Sequence, residues 1–186
     1  DAAQAFGSGS HGTTEGCLRA IDRLSRRMTP PKVLDMGCGS GILSMAAAKI
    51  WPATRVMAID IDPVSVETTL KNAATNGVGK RVEARAGNGY AVLRNRPAET
   101  YELILSNILA RPLCKMAPSL NRALKPGGIA VLSGLLYHQS AAVLSAHRQQ
   151  GLVLAGKWRF GDWMTLMLKK KTGAVSGPHR QGDVSG

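Results

Sequence analysis

The chain has 186 residues, of which 44% are hydrophobic, and it carries a formal net charge of +12. This length suits one domain with a substantial core of its own, and the apolar content excludes a disordered chain. No apolar run approaches the roughly 18 residues that a membrane span requires, and no segment resembles a signal peptide.

Short apolar runs alternate with helical patterns through the middle of the chain, as in a parallel sheet with helices on both faces. A first strand over residues 32–36 leads through a glycine-rich turn into a helix of small residues, ILSMAAAKI. A second strand follows over residues 55–60. This alternation predicts a doubly wound α/β fold.

The helix after the second strand has clear end signals. Asp62 precedes Pro63 and is predicted to cap the helix, and Asn76-Gly77 is predicted to stop it. Its predicted apolar stripe consists of Val66, Leu70 and Ala73. A weaker third strand, RVEARA, comes next.

The second half of the chain continues the alternation and then changes it. A fourth strand over residues 101–107 precedes a helix that KPGG is predicted to end. The apolar positions of that helix are Leu113, Met116, Leu120 and Leu124. GIAVLSGLL reads as a fifth strand and is followed by a helix to about residue 150. GLVLAGKWRF and DWMTLMLKK are then predicted to form an antiparallel pair.

These elements predict a mostly parallel seven-stranded sheet, Rossmann-like, with a final antiparallel strand. The predicted domain covers residues 1–168, and residues 169–186 are predicted to be a basic, disordered tail because they are rich in Gly, Ser and Pro. The tail holds four of the basic residues against one acidic residue, and the remaining charge is spread thinly. A solvated basic surface is the simpler explanation, and proximity to ribosomal RNA stays open.

The three cysteines, Cys17, Cys38 and Cys114, are scattered singly without a C-x-x-C pair. Isolated cysteines are typical of a reducing compartment and argue against a disulfide framework or a zinc cluster. We therefore expect a soluble, cytoplasmic protein without a metal centre or membrane attachment.

The strongest local motif is VLDMGCGSGIL, in which Asp35, Gly37, Gly39 and Gly41 follow the first strand. Glycines permit a tight turn and let backbone N–H groups approach a ligand at a helix N-terminus. A dinucleotide fingerprint would need glycine at position 42, where the chain has Ile42, and this disfavours a nicotinamide-dependent oxidoreductase. The spacing D-x-G-x-G-x-G resembles motif I of the class I S-adenosylmethionine-dependent methyltransferases.

Polar side chains at the ends of the next strands add to this motif. Asp60 ends the second strand and is predicted to accept hydrogen bonds from two ribose hydroxyls, with Asp62 as the competing candidate. Asn88 follows the third strand and either faces an adenine or serves a turn. Asn107 ends the fourth strand, where it either faces the same crevice or caps the next helix.

The N-terminal stretch AFGSGSHGTTEGCL reads locally as a loop that ends in a helix cap at Thr13-Thr14, which leaves Phe6 and His11 unexplained. Together with DMGCGSGIL, DIDP and SNILARP, this stretch resembles the family of ribosomal protein methyltransferases (PrmA) that modify protein eleven of the large subunit. The resemblance covers residues 5–168. Ser8 and Gly12 replace the family's usual threonine and proline.

The resemblance implies roles for particular residues. Phe6 and Thr14 would belong to a loop that closes over the cofactor, Gly37 would lie under its methionine part, and Asp60 would bind its ribose. Asn107 would be the active-site amide and would also contact the cofactor. His11 would shape the pocket or satisfy the backbone of its own loop.

The implied reaction transfers a methyl group from S-adenosylmethionine to an amine of a large-subunit ribosomal protein, on a lysine side chain or the N-terminus. The alternatives are methylation of another protein lysine or of ribosomal RNA, and a cofactor-binding module without catalysis. Family members carry a smaller recognition domain before the catalytic domain, whereas Phe6 lies close to the start of this chain. We therefore expect the chain to bind the cofactor but to methylate the ribosomal protein weakly.

Overall fold

The structure, a computed structural model, describes residues 10–93 and 99–172, with side chains from Gly12 onward. The strands are β1 (Lys32–Met36), β2 (Arg55–Asp60), β3 (Val82–Ala86), β4 (Tyr101–Asn107), β5 (Leu124–Leu136), β6 (Leu152–Phe160) and β7 (Trp163–Lys170). The helices are α1 (Ser10–Ser25), α2 (Ile42–Ile50), α3 (Pro63–Thr75), α4 (Ala110–Ala123) and α5 (Ser140–Arg148). Short 3-10 turns lie at Gly79–Arg81, Gly89–Leu93 and Tyr137–Gln139.

The strands form one sheet in the order β3-β2-β1-β4-β5-β7-β6. Strands β1 to β5 run parallel to their neighbours among themselves, and β7 runs antiparallel to both β5 and β6. The prediction of a doubly wound, mostly parallel, seven-stranded sheet with an antiparallel end is confirmed. The winding reverses between β1 and β4, so a crevice opens beyond the carboxyl ends of these two strands.

Helices cover both faces of the sheet, which is why its central strands read as continuous apolar runs. Val33 and Leu105 pack on one face with residues of α1, α2 and α3. Leu34 and Ile104 pack on the opposite face with residues of α4 and α5. Successive residues of each strand thus enter opposite halves of the core and hold the carboxyl edge of the sheet rigidly in place.

Helix α1 differs from its prediction. It begins at Ser10, so Thr13 and Thr14 lie inside a helix, and the prediction of a loop with a threonine cap was wrong. Thr13, Cys17 and Ile21 share one helical face and are 3%, 0% and 0% exposed. The inward face includes a threonine whose polar group is satisfied in the interior, and a pattern of apolar residues does not reveal such a position.

Helix α3 also buries a threonine in place of a predicted apolar residue. Leu70, predicted as part of the stripe, is 42% exposed, whereas Thr69 is fully buried beside the predicted Ala73. The Thr69 hydroxyl donates to the Gly39 carbonyl at 3.0 Å. This hydrogen bond allows the hydroxyl to leave water, so the helix rotates its threonine towards the glycine-rich turn.

Two predicted boundaries move in the second half of the chain. Leu124 and the KPGG segment belong to β5, not to the end of α4, which stops at Ala123. Strand β7 ends at Lys170, two residues past the predicted domain boundary at residue 168. The Lys170 ammonium donates to the carbonyls of Asn121 and Leu124 at 2.6 and 2.8 Å, and this contact draws the end of the strand onto the domain.

Candidate functional site

The glycine-rich turn between β1 and α2 depends on backbone conformations that glycine adopts easily. Gly37, Gly39 and Gly41 have φ values of 77°, 54° and 80°. A Cβ on Gly37 would lie 2.3 Å from Cγ2 of Ile108, and one on Gly41 would lie 2.9 Å from the Thr69 side chain. A Cβ on Gly39 would meet no described atom within 4 Å. The first and third glycines therefore permit close packing, and the second leaves open space.

The amides of this turn brace the second strand. The Gly37 N–H donates to the Ile59 carbonyl at 2.7 Å, and the Gly39 N–H donates to Oδ2 of Asp60 at 2.9 Å. The sequence led us to expect these groups to point towards a ligand. Here they are satisfied within the protein, and they hold the Asp60 carboxylate at the rim of the turn.

Asp60, the last residue of β2, and Asp62, two residues later, accept hydrogen bonds from different groups. Oδ1 of Asp60 accepts the N–H of Asp62 at 3.0 Å, and its Oδ2 accepts from the turn. Asp62 is the N-cap of α3 and accepts from the Val64 N–H at 3.0 Å and from the Ser65 hydroxyl at 3.1 Å. The predicted cap is confirmed. Because a carboxylate has about four lone-pair sites, Asp60 retains acceptor capacity beyond these two bonds.

Asp35 faces the protein interior. It is 1% exposed, and its Oδ2 accepts both the backbone N–H and the hydroxyl of Ser44, at 3.0 and 2.6 Å. Burial raises the pKa of its carboxyl to about 6, although the Ser44 hydrogen bonds oppose this rise. Asp35 thus joins β1 to the first turn of α2, and it does not line the cavity described below.

The raised pKa of Asp35 predicts that the stability of the fold depends on pH. The pKa of its carboxyl rises from the ordinary value of 3.8 to about 6 in the fold. The folded state therefore keeps its full stability below pH 3.8, where the carboxyl is protonated, and loses part of it as the pH rises through 6. The loss is on the order of 3 kcal/mol. We expect Asp35→Asn, relative to wild type, to gain about that much free energy of unfolding between pH 4 and 7 in urea denaturation. Parallel curves would contradict this, and Glu67→Gln, at an exposed position, is the control.

Asn107 ends β4 and lies opposite Ser133 of β5. Its Nδ2 donates to the Thr13 hydroxyl at 3.3 Å, so it reaches α1 and does not cap α4, whose N-cap Leu109 has no side-chain cap bond. Its Oδ1 is buried and accepts no hydrogen bond from the described residues. A buried amide oxygen without a donor costs free energy, which a donor entering the site would recover.

A cavity of about 620 Å³ opens at the carboxyl edge of the sheet, within the range of small-molecule sites. The predicted site residues that line it are Gly37, Gly39, Asp60, Asn88 and Asn107. Its apolar wall includes Ile61, Ile108, Leu109, Pro112 and Met116. The predicted site residues at this cavity are up to 70 positions apart in the chain, from Gly37 to Asn107, and the sheet brings them together.

Other predicted residues do not line this cavity. Thr14 lies on α1, Asp35 is buried beneath the turn, and Gly41 packs against α3. Phe6 and the side chain of His11 lie outside the described residues. The roles predicted for these positions stay predictions.

The buried hydroxyl groups behind the site were not predicted from the sequence. Ser133 donates to the Thr13 carbonyl at 3.1 Å and lies 2.8 Å from the Thr165 hydroxyl. All three residues are at most 3% exposed. The available signal was weak: Ser133 and Thr165 are single hydroxyl residues within apolar strand patterns, Thr13 stands beside Thr14, and only the tertiary structure brings the three together.

The described residues hold neither a metal cluster nor a membrane-spanning helix. No three His, Cys, Asp or Glu side chains among them converge on one point that could bind a metal ion. None of the helices in these ranges has the length and apolar character needed to cross a bilayer.

Burial raises the pKa of Cys17 and of Cys38 to about 12, so both stay thiols at neutral pH.

Comparison with known sequences gives consistent matches along the chain. The family of ribosomal protein L11 methyltransferases (PrmA) matches residues 1–171. The ribosomal protein L11 methyltransferase of Bradyrhizobium diazoefficiens is 44% identical over 170 residues, which are 91% of this chain and 57% of that protein. That of Brucella suis is 40% identical over 169 residues, 91% of this chain and 59% of that protein. The chain thus spans less than two thirds of the length of these relatives.

Solved structures share the architecture. The ribosomal protein L11 methylase of Lactobacillus delbrueckii subsp. bulgaricus aligns with a TM-score of 0.77 and 31% identity, over 86% of this chain and 79% of that chain. An O-methyltransferase family protein of Burkholderia thailandensis aligns with a TM-score of 0.68 and 17% identity, over 83% of this chain and 56% of that chain, and shows the fold alone. On the sequence match over residues 1–171, the chain belongs to the family of ribosomal protein L11 methyltransferases.

Proposed function

We propose that this chain transfers methyl groups from S-adenosylmethionine to amine nitrogens of ribosomal protein L11, on lysine side chains or the N-terminal amine. The observation that carries the proposal is the buried Oδ1 of Asn107, which has no donor among the described residues and belongs to a residue that lines the same cavity as Gly37 and Asp60. The names of the relatives, which the chain matches over 91% of its own length, support the choice of substrate.

The residues of the cavity fit the proposed cofactor. Asp60 keeps acceptor capacity for two adjacent hydroxyl groups, as a ribose presents them. The open space beside Gly39 lets a ligand approach the backbone, which a side chain would prevent. When bound, S-adenosylmethionine would supply a methyl group that its positive sulfonium already activates for transfer. The protein then has to align the acceptor and exclude water.

Asn107 suits an amine acceptor because its side chain is neutral. A lysine has a reference pKa near 10.4, so presenting it uncharged at pH 7 costs about 4–5 kcal/mol. The apolar wall with Ile108, Leu109 and Pro112 disfavours the ammonium form by desolvation. The Asn107 Oδ1 can accept a hydrogen bond from the neutral amine, whereas an aspartate at this position would favour the charged form.

The proposal predicts which nucleotides the purified chain binds. We expect calorimetry to show binding of S-adenosylmethionine and S-adenosylhomocysteine and no binding of NAD, because Ile42 stands where a dinucleotide fingerprint has its third glycine. Heat from NAD without heat from S-adenosylhomocysteine would refute the cofactor assignment.

The substrate is tested with isolated large ribosomal subunits. The chain is incubated with methyl-labelled S-adenosylmethionine and the subunits, after which protein and RNA are separated. We expect weak labelling of ribosomal protein L11. Label in ribosomal RNA, or in another protein, would replace the proposed acceptor while leaving the cofactor assignment intact.

A further inference from the structure

Three buried hydroxyl residues, on β7, β5 and α1, connect strand β7 to Asn107 through hydrogen bonds. Thr165 on β7 lies 2.8 Å from Ser133 on β5, measured between the side-chain oxygens. Ser133 donates to the backbone carbonyl of Thr13 on α1 at 3.1 Å. The Thr13 hydroxyl accepts from Nδ2 of Asn107 at 3.3 Å. We call these three residues the hydroxyl chain.

The protons of the hydroxyl chain have a defined order. A serine hydroxyl has one proton, and Ser133 uses it on the Thr13 carbonyl, so Thr165 is the donor in the contact between Thr165 and Ser133. Ser133 therefore ties α1 to β5 through the Thr13 carbonyl.

A glycine in α1 permits the close approach of this helix to β7. A Cβ on Gly16 would lie 2.0 Å from the Thr165 hydroxyl oxygen. Only glycine at this position lets the helix lie near enough for its Thr13 carbonyl to reach Ser133. The Ser133 carbonyl in turn accepts the N–H of Ile108, the residue after Asn107, at 3.1 Å. Ser133 therefore bonds to both neighbours of Asn107: its side chain bonds to Thr13, which contacts the Asn107 amide, and its backbone carbonyl bonds to Ile108.

We propose that Thr13, Ser133 and Thr165 are positioning residues that hold the Asn107 side-chain amide in place at the wall of the cavity. The inference rests on the proposed function. The terminal torsion of an asparagine side chain is broad, so packing alone leaves the amide free to turn, and the bond from Nδ2 to the Thr13 hydroxyl restricts it. An amide that turned freely would also present its N–H groups to the substrate amine, where a donor would occupy the lone pair that has to attack the methyl group.

A double-mutant cycle tests this coupling. Thr13→Val removes the acceptor and keeps the shape, and we expect it to lower kcat about tenfold, with affinity for S-adenosylhomocysteine within twofold of wild type. Thr13→Ser, which keeps the oxygen, restores most of the rate. In an Asn107→Ala background, Thr13→Val causes no further loss. The control is Thr75→Val. The Thr75 hydroxyl lies at an exposed position and donates to the Lys71 carbonyl within its own helix.

Two results of the cycle would overturn the inference: an unchanged kcat in Thr13→Val, or the same loss in both backgrounds. The second result would mean that Thr13 acts on the fold and not through Asn107. We expect Ser133→Ala to lower kcat as well, because it releases the Thr13 carbonyl. The backbone bond from Ile108 to the Ser133 carbonyl is kept in this variant.

A second measurement needs no catalysis. The Asn107 side-chain amide signals, assigned by their loss in Asn107→Ala, are followed by hydrogen exchange in NMR spectra of the free protein. We expect slower exchange in wild type than in Thr13→Val, and equal exchange would overturn the inference. If the chain methylates none of the tested acceptors, the proposed function fails, and the exchange rates still decide whether the hydroxyl chain holds the amide.

Discussion

Asn107→Ala is expected to lower the turnover of protein methylation about a hundredfold or more, while affinity for S-adenosylhomocysteine stays within a few-fold of wild type. The reason is geometric. The amide lies at the tip of β4 on the wall of the cavity, where it would align the acceptor amine, and misplacement by about 1 Å can cost a factor near a hundred in rate. Single-turnover kinetics with labelled S-adenosylmethionine measure the rate, and calorimetry measures the affinity.

Asn107→Asp is the informative partner of this variant. It keeps the size and one acceptor, but its charge would favour the ammonium form of the substrate, so we expect a slow rate that recovers partly as the pH is raised. Wild-type turnover in Asn107→Ala would show that the residue only joins β4 to α1 through Thr13.

Asp60→Ala is expected to weaken binding of S-adenosylhomocysteine by on the order of 1.5–3 kcal/mol, roughly 10- to 150-fold, through lost hydrogen bonds to a charged group. Part of this loss comes from the turn, because the N–H groups of Gly39 and Asp62 lose their acceptors as well. Isothermal titration of the purified variants measures the effect, and thermal unfolding separates binding from stability.

Asp62→Ala is the matched control for Asp60→Ala. Asp62 caps α3, so its loss should lower stability by about 1 kcal/mol and leave cofactor affinity near that of wild type. If the two variants exchanged these effects, the ribose contact would belong to Asp62. The competing assignment made from the sequence would then be the right one.

The two threonines near the N-terminus show where sequence reasoning stopped. The family resemblance implied a cofactor role for Thr14, which stays a prediction, and gave no role to Thr13, which the structure places in contact with Asn107 while Thr14 lies half-buried on α1. Adjacent residues on a helix differ by about 100° in direction, so the choice between them depends on the rotation of α1 against the sheet. That rotation is set by contacts with β5 and β7, which are more than a hundred residues away in the chain.

Gly134 gives a second example of the same limit. Its φ is +81°, and a Cβ there would lie 2.5 Å from the Ile108 carbonyl oxygen. In the sequence it is one glycine inside an apolar strand pattern, which indicates a bulge or a close backbone approach without naming the partner. The partner is the segment after Asn107, because β4 and β5 are neighbours in the sheet.

The sequence by itself determined the order and type of the strands and helices, the glycine-rich turn, the cap at Asp62 and the polar residues at the strand ends. These features are local: they depend on apolar period, on glycine conformations and on side chains that bond their own backbone. Tertiary structure alone decided which helical faces are buried, that the turn amides bind β2, and that Thr13, Ser133 and Thr165 meet behind Asn107. Those contacts join residues distant in sequence, and a buried hydroxyl is recognisable only when its hydrogen-bond partner is in place.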